Sequence, residues 1–155
     1  MSWSQKLIQL KPKKRGFHLI TNELLSSIQS DISKYTIGLC HFFLQHTSAS
    51  LTINENADSD VRIDMETIVN RIVPESEDYK HDAEGSDDMP GHTKSSLLGC
   101  EVTVPITNGK LNLGKWQGVY LGEHRNHGGT RQILVTIQGQ LNPGAKTDES
   151  KNESE

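Results

Sequence analysis

Residues Glu101 to Leu113 read EVTVPITNGKLNL. The Asn108-Gly109 pair decides how this stretch folds. A two-residue hairpin turn of the favoured hand needs positive φ at both central positions, which Asn and Gly tolerate best. The stretch therefore predicts two strands, Glu101 to Ile106 and Lys110 to Leu113, joined back to back. Downstream, Trp116 to Glu123 and Gln132 to Gln138 read as two further strands. The segment between them, His124 to Thr130, is too rich in Gly, His and Arg to be core.

Upstream, Ser4 to Leu10 alternates weakly and predicts a strand, followed by a basic turn, Lys11 to Gly16, and a resumed strand from Phe17 to Ile20. Thr21 or Asn22 can cap a helix whose apolar face is Leu24, Leu25, Ile28 and Ile32. Ile37 to Gln45, IGLCHFFLQ, is nearly continuous and apolar, which predicts a strand buried on both faces. Leu51 to Asn54 is a short strand. Asp58 to Val73 carries Val61, Met65, Ile68, Val69 and Ile72 at helical spacing, and Pro74 stops it. A helical turn over His92 to Leu98 closes at Gly99. Many strands with two main helices, and no regular strand–helix alternation, make an α+β chain.

The chain has 155 residues, enough for one domain with a core. Residues 1–140 form that domain. From Leu141 the chain reads LNPGAKTDESKNESE, a polar acidic composition that predicts a disordered tail over 141–155. The net charge of -4 and the dispersed basic residues argue against nucleic acid as a partner. No apolar run reaches membrane-spanning length, and the N-terminal stretch lacks a signal-peptide core. The two cysteines, Cys40 and Cys100, make no disulfide framework, and a cytoplasmic location is expected.

Three constellations could carry chemistry. His46-Thr47-Ser48-Ala49-Ser50, with Asn54-Glu55 beyond, places a histidine and small hydroxyls at the end of a strand. The same residues also suit a turn in which Ser and Thr bond their own backbone. Tyr79 to His92, YKHDAEGSDDMPGH, holds His81, Asp82, Glu84, Asp87, Asp88 and His92, with Lys94, Ser95 and Ser96 following. It reads either as a cation site or as an acidic surface loop, and the spacing of His81 and His92 matches no zinc motif. Gln117 and the run Glu123 to Arg131, with two glycines beside Arg125 and Arg131, could offer guanidinium forks to a phosphate, or could be a solvated hairpin. Asp60 and Asp64 stand one helical turn apart and read as paired carboxylates or as a solvent-facing stripe. Neither cysteine is marked as activated, and Ser48 lacks a nucleophile-elbow context.

Taken in order, HTSASLTINE (His46 to Glu55), HDAEGSDDMPGHTKSSLLG (His81 to Gly99), GKWQGVYLGEHR (Gly114 to Arg125) and GGTRQ (Gly128 to Gln132) closely resemble the YjbQ family, also called the secondary thiamine-phosphate synthase family. The resemblance runs to about Gln140. Many members carry threonine where this chain has Lys115. The resemblance implies a single compact domain of mixed or antiparallel sheets, sandwich-like, with two main flanking helices, assembled as a homotrimer around a polar cleft. It also implies an activity joining a hydroxymethylpyrimidine diphosphate to a thiazole phosphate, with release of pyrophosphate. On that reading His46, His81 and His92 hold a divalent metal, zinc or magnesium. Lys94, Ser95, Gln117, Arg125 and Arg131 meet the phosphorylated small-molecule substrate, and His46, Ser48, Glu55, Asp64 and Glu123 are the candidate catalytic groups. A metal-dependent hydrolase and a non-enzymatic metabolite- or metal-binding protein are the competing expectations.

Overall fold

The computed structural model describes residues 1–76 and 78–145. The elements, in chain order, are β1 (Ser2–Leu10), β2 (Gly16–Leu19), α1 (Thr21–Ile32), β3 (Tyr35–Leu44), β4 (Ala49–Glu55), α2 (Asp60–Ile72), α3 (Asp88–Leu98), β5 (Glu101–Thr107), β6 (Lys110–Leu111), β7 (Gln117–Glu123) and β8 (Arg131–Leu141). Five strands form one sheet in the order β1-β8-β3-β5-β6, and three form a second in the order β2-β7-β4. Every pairing is antiparallel. The α+β expectation holds, with three helices rather than two.

The hairpin forms as its turn residues require: Asn108 has φ 48° and Gly109 φ 74°. Their backbone N–H groups also donate to Thr36 O and Tyr35 O, which fixes the hairpin against the start of β3. The two sheets and α1 share one apolar cluster. Leu10, Phe42, Val104 and Val135 come from the large sheet, Leu51 and Leu121 from the small one, and Leu24, Ile28 and Ile32 from α1. Thr21 does not cap α1. The residue before the helix is Ile20, and Thr21 Oγ1 instead accepts the Val119 N–H at 2.9 Å, tying the helix to β7.

β3 departs from the expected two-sided burial. Cys40, Phe42 and Leu44 point inward, but Ile37 is 60% exposed, Leu39 48% and Phe43 38%. The strand lies between β8 and β5, and among the described residues no element covers its outer face. α2 likewise buries less than its stripe predicts. Met65 and Val69 pack near Phe17 and Tyr120, while Ile68 and Ile72 face outward. No helix of the described residues is long and apolar enough to cross a membrane.

α3 is a full helix from Asp88, not a turn from His92. Pro90 lies in its first turn, where the backbone N–H groups have no intrahelical partner to lose. Gly99 ends the helix at φ 94°.

The tail boundary moves. Leu141 completes β8, and Asn142 is anchored by its N–H to Lys34 O at 2.7 Å, its Nδ2 to Ser33 O at 2.9 Å, and Thr36 Oγ1 to its Oδ1 at 2.7 Å. The rest of the expected tail, 146–155, lies outside the described residues. Truncation after Gln140 should therefore lower unfolding stability by about 1–3 kcal/mol, the cost of losing hydrogen bonds that leave partners unsatisfied. Truncation after Ala145 should leave it unchanged. Urea unfolding of the two truncations checks this.

Candidate metal centre and groove

The site is assembled at the N-terminal half of α3. Asp87 and Asp88 open the helix, and both are buried although they are carboxylates. A buried charge needs a partner, and Arg125 supplies it. Its Nε donates to Asp87 Oδ2 at 3.1 Å, its Nη1 to Asp88 Oδ1 at 2.5 Å, and its Nη2 to Glu84 O at 2.8 Å. Burial works against the Asp87 charge. The N–H of Asn126 and the Arg125 guanidinium outweigh it, so the carboxyl is held below its usual range. Gly91 lets α3 lie close by: a Cβ there would come within 3.3 Å of Arg125 Cδ and 3.4 Å of Ser48 Cβ.

Asp88 is the centre of a small donor group. His92 is one helical turn on, with Nε2 3.3 Å from Asp88 Oδ1, and His81 Nε2 lies 2.8 Å from Asp88 Oδ2. One ligand atom from each of His81, Asp88 and His92 lies within 4.8 Å of the others. Two observations show that the group fits a cation. Asp88 is fully buried, yet among the described residues its Oδ2 is approached only by His81 Nε2 and takes no hydrogen bond of regular geometry. His92 Nδ1 stands 2.8 Å from Thr47 O, and a carbonyl can only accept. The neutral imidazole therefore carries its hydrogen on Nδ1 and turns the Nε2 lone pair toward Asp88. Metal-binding histidines are oriented in this way.

His81 and His92 line a groove of about 720 Å³ with His46, Thr47, Met89, Ser95, Ser96 and Cys100, and Asp88 lies behind them. His46 is on its wall but outside the donor group. Its Nδ1 accepts the Ser48 N–H at 3.0 Å, and Ser48 Oγ lies 3.2 Å away. In the donor group the place expected for His46 is taken by Asp88. Burial, then the positive charge of Arg131, lowers the His46 pKa.

Beneath Ser48, Arg131 and Glu123 form a bidentate pair, Nε to Oε1 at 2.8 Å and Nη2 to Oε2 at 2.7 Å, at 3% and 0% exposure. Arg131 Nη2 also donates to Ser48 Oγ at 3.4 Å. Both arginines expected to meet phosphate are thus occupied by carboxylates. Lys94 is fully buried, and its Nζ donates to Asn70 Oδ1 at 2.6 Å. It faces the interior beside Arg15, and burial followed by that charge lowers its pKa. A charge buried this deeply cannot reach a substrate in the groove. Ser95 does line the groove.

Three further candidates lie elsewhere. Glu55 ends β4, about 20 Å of extended chain beyond its first residue, where its carboxylate accepts the Asp58 N–H. Gln117 pairs with it across the sheet and accepts the Gly114 N–H. Asp64 is exposed on α2, the solvent-facing outcome. Cys40 is buried, which pushes its thiol up to about 12.

Sequence reasoning placed Asp88 in the possible cation loop without grouping it with the three histidines, and it passed over His124 as a buried group. The Asp88/His92 spacing of one turn was the available signal, concealed by placing the helix start at His92. His124 is 1% exposed, its Nε2 is 2.9 Å from Ser50 Oγ, and its Nδ1 has no partner among the described residues. Burial, then Lys94, lowers its pKa from 6.5 to about 3. As pH falls below about 6.5 the unfolded chain gains a proton that the folded chain refuses, so this stability is lost on acidification. Between pH 6.5 and 5 the loss should be about 2 kcal/mol, and His124→Gln should flatten it. Unfolding midpoints across that range check the slope.

The family model described as UPF0047 protein YjbQ-like matches residues 6–140. The UPF0047 protein YjbQ of Escherichia coli O157:H7 is 53% identical over 138 residues, covering 89% of this chain and 99% of that protein. The UPF0047 protein YugU of Bacillus subtilis is 37% identical over 119 residues, covering 76% and 87%. Among solved structures, an uncharacterized conserved protein of the YjbQ/UPF0047 family from Clostridium acetobutylicum superposes with a TM-score of 0.75 at 36% identity, covering 86% of this chain and 99% of that one. A YbjQ-like protein of unknown function from Sulfolobus solfataricus gives a TM-score of 0.79 at 24% identity, covering 90% and 99%, a likeness of fold.

Proposed function

The chain belongs to the UPF0047 family of YjbQ-like proteins, and from that premise we propose that it is an enzyme whose groove holds a divalent cation on His81, Asp88 and His92. The observation that carries this reading is His92, whose Nδ1 is held by the Thr47 carbonyl while its Nε2 faces the buried Asp88 carboxylate. Two imidazoles with one carboxylate favour zinc or a similar transition metal over magnesium, which prefers oxygen ligands. Three protein ligands beside an open groove suit catalysis better than a closed structural site.

The reaction we assign first is the joining of a pyrimidine diphosphate to a thiazole phosphate with loss of pyrophosphate. A bound cation would supply charge neutralisation on phosphate oxygens. The chain does the rest. Arg125 holds Asp88 in place, the Glu123–Arg131 pair fixes the Ser48 floor, and Thr47, Ser95 and Ser96 give the groove a polar wall. Metal-dependent hydrolysis is the second reading. It is favoured because Arg125, Arg131 and Lys94 are all engaged internally, which leaves the cation as the main positive charge for a substrate.

Purified protein, zinc-loaded or chelated, should be incubated with both precursors and then with the diphosphate alone. Thiamine phosphate formed only with metal supports the first reading. Phosphate or pyrophosphate release without the thiazole partner supports the second. Full turnover in chelator removes the cation from the mechanism.

We also assign a homotrimer. The outer face of the large sheet supports it: Leu7 and Phe43 flank Leu134 across β1, β8 and β3, with Trp3, Ile37 and Leu39 adding exposed apolar area. Sedimentation should show a trimer, and Phe43→Asp with Leu39→Asp should dissociate it. A stable monomer of the unmodified chain at micromolar concentration overturns the assignment.

A further inference from the structure

The Thr47–Ser48 peptide group bonds two imidazoles, one at each end. Its carbonyl oxygen accepts from His92 Nδ1 at 2.8 Å, and its N–H donates to His46 Nδ1 at 3.0 Å. A carbonyl only accepts and an amide N–H only donates, so the neutral rings are set in opposite tautomers. His92 when neutral has its lone pair on Nε2, the arrangement a ligand needs. His46 has its lone pair on Nδ1 and its hydrogen on Nε2. That Nε2 has no partner among the described residues, and the ring lines the groove that His81 and His92 also line.

We propose that His46 is the groove's neutral hydrogen-bond donor, presenting Nε2–H to a phosphate-type oxyanion of the substrate, and is neither a metal ligand nor a general base. The proposal rests on the cation reading only for its neighbour, since the His46 tautomer is set by the backbone alone. A base would need a lone pair on Nε2, which would put a hydrogen on Nδ1 facing the Ser48 N–H. An imidazolium meets the same obstacle. Ser48 Oγ is held from the other side by Arg131 Nη2, and this buried guanidinium lies close enough to disfavour a second positive charge at His46. An uncharged donor whose tautomer is fixed in advance, beside a cation site, can serve as an oxyanion-stabilising group. It also supplies the groove with polarity toward a phosphate that Arg125, Arg131 and Lys94 do not.

Zinc affinity and inorganic pyrophosphate affinity should be measured separately on the full chain, on His46→Ala and on His46→Gln, whose amide N–H reaches the place of Nε2. Both variants should keep zinc affinity within about threefold of the unmodified protein. A loss in His46→Ala as large as that in His92→Ala makes His46 a ligand and overturns the proposal while the cation reading stands. In the zinc-loaded protein, His46→Ala should bind pyrophosphate about tenfold or more weakly, the loss of one hydrogen bond to a charged group. His46→Gln should recover most of it. An unchanged pyrophosphate affinity in His46→Ala overturns the proposal.

A second measurement does not depend on metal. Nitrogen-15 spectra of the histidine-labelled, metal-free chain, with His46 assigned by its loss in the Gln variant, should show hydrogen on Nε2. That resonance should shift on adding pyrophosphate. Hydrogen on Nδ1, or a resonance that pyrophosphate leaves unmoved, overturns the proposal. Absence of zinc binding to the unmodified chain would sink the cation reading instead, and the spectra would still decide His46.

Discussion

Zinc should bind His92→Ala more than a hundredfold less tightly than the unmodified chain, with little change in fold. Removal of groups that only orient a ligand costs roughly 10–100-fold, and loss of a ligand atom should exceed that. His92 and His81 contribute little to the core, with side chains 31% and 55% exposed, so their removal should change the unfolding free energy by less than about 1 kcal/mol. His81→Ala should follow the same course. Arg125→Ala should fall in the 10–100-fold range, because Arg125 touches Asp88 without being able to touch the cation. Competition with a chromogenic chelator gives all of these affinities. Wild-type affinity in His92→Ala would mean that the donor group is a hydrogen-bonded acidic turn and nothing more.

Glu123→Ala should cost about 3–5 kcal/mol in unfolding free energy, the penalty of leaving a buried partner charge alone. Arg131 is 3% exposed, and both nitrogens bonded to Glu123 would lose their carboxylate acceptors, leaving Nη2 only the long bond to Ser48 Oγ. Gly128→Ala should act through the same pair, because a Cβ at Gly128 would collide with the Glu123 carboxylate. The double change Glu123→Leu with Arg131→Met should recover most of the loss, since apolar groups of similar volume leave no orphaned charge. Urea unfolding measures all three. A loss below about 1 kcal/mol for Glu123→Ala would show that water reaches Arg131, returning that guanidinium to the list of groups available to a substrate.

The local signals were the legible ones. Asn108-Gly109 dictates its turn through two φ values, and Leu24, Ile28 and Ile32 dictate the face of α1 through spacing alone. β3 was legible as a strand but not as half-exposed, because IGLCHFFLQ looks the same whether its outer face meets a layer of its own chain or another surface. α3 was cut short because Pro90 and Gly91 read as loop, although a first-turn proline breaks no helical bond and the glycine serves close packing on Ser48. The histidine-bearing segments were found from composition, and the structure brings His81 and His92 together. The partners of Arg125 and Arg131 were not legible. Asp87 and Asp88 precede Arg125 by 38 and 37 residues, and no local pattern reports a pairing at that range. Glu55 and Gln117 were grouped with the site because their motifs adjoin it in sequence, whereas an extended strand carries its two ends apart. The Thr47–Ser48 peptide left no side-chain trace at all.

The order of strands in the large sheet has a consequence for how the chain acquires its structure during synthesis. β8 lies between β1 and β3, and its register joins Ser2 to Gly139 and Cys40 to Ile137. β1 therefore has no neighbour in the sheet until residues 131–141 have been made, and β3 has only β5. While the ribosome is still adding β8, the apolar inner faces of β1 and β3 are without their central partner. Pairings this distant in sequence also form slowly once they become possible. A nascent chain stalled before Arg131 should be protease-sensitive and dependent on chaperones, and one released past Asn142 should become resistant in a single late step.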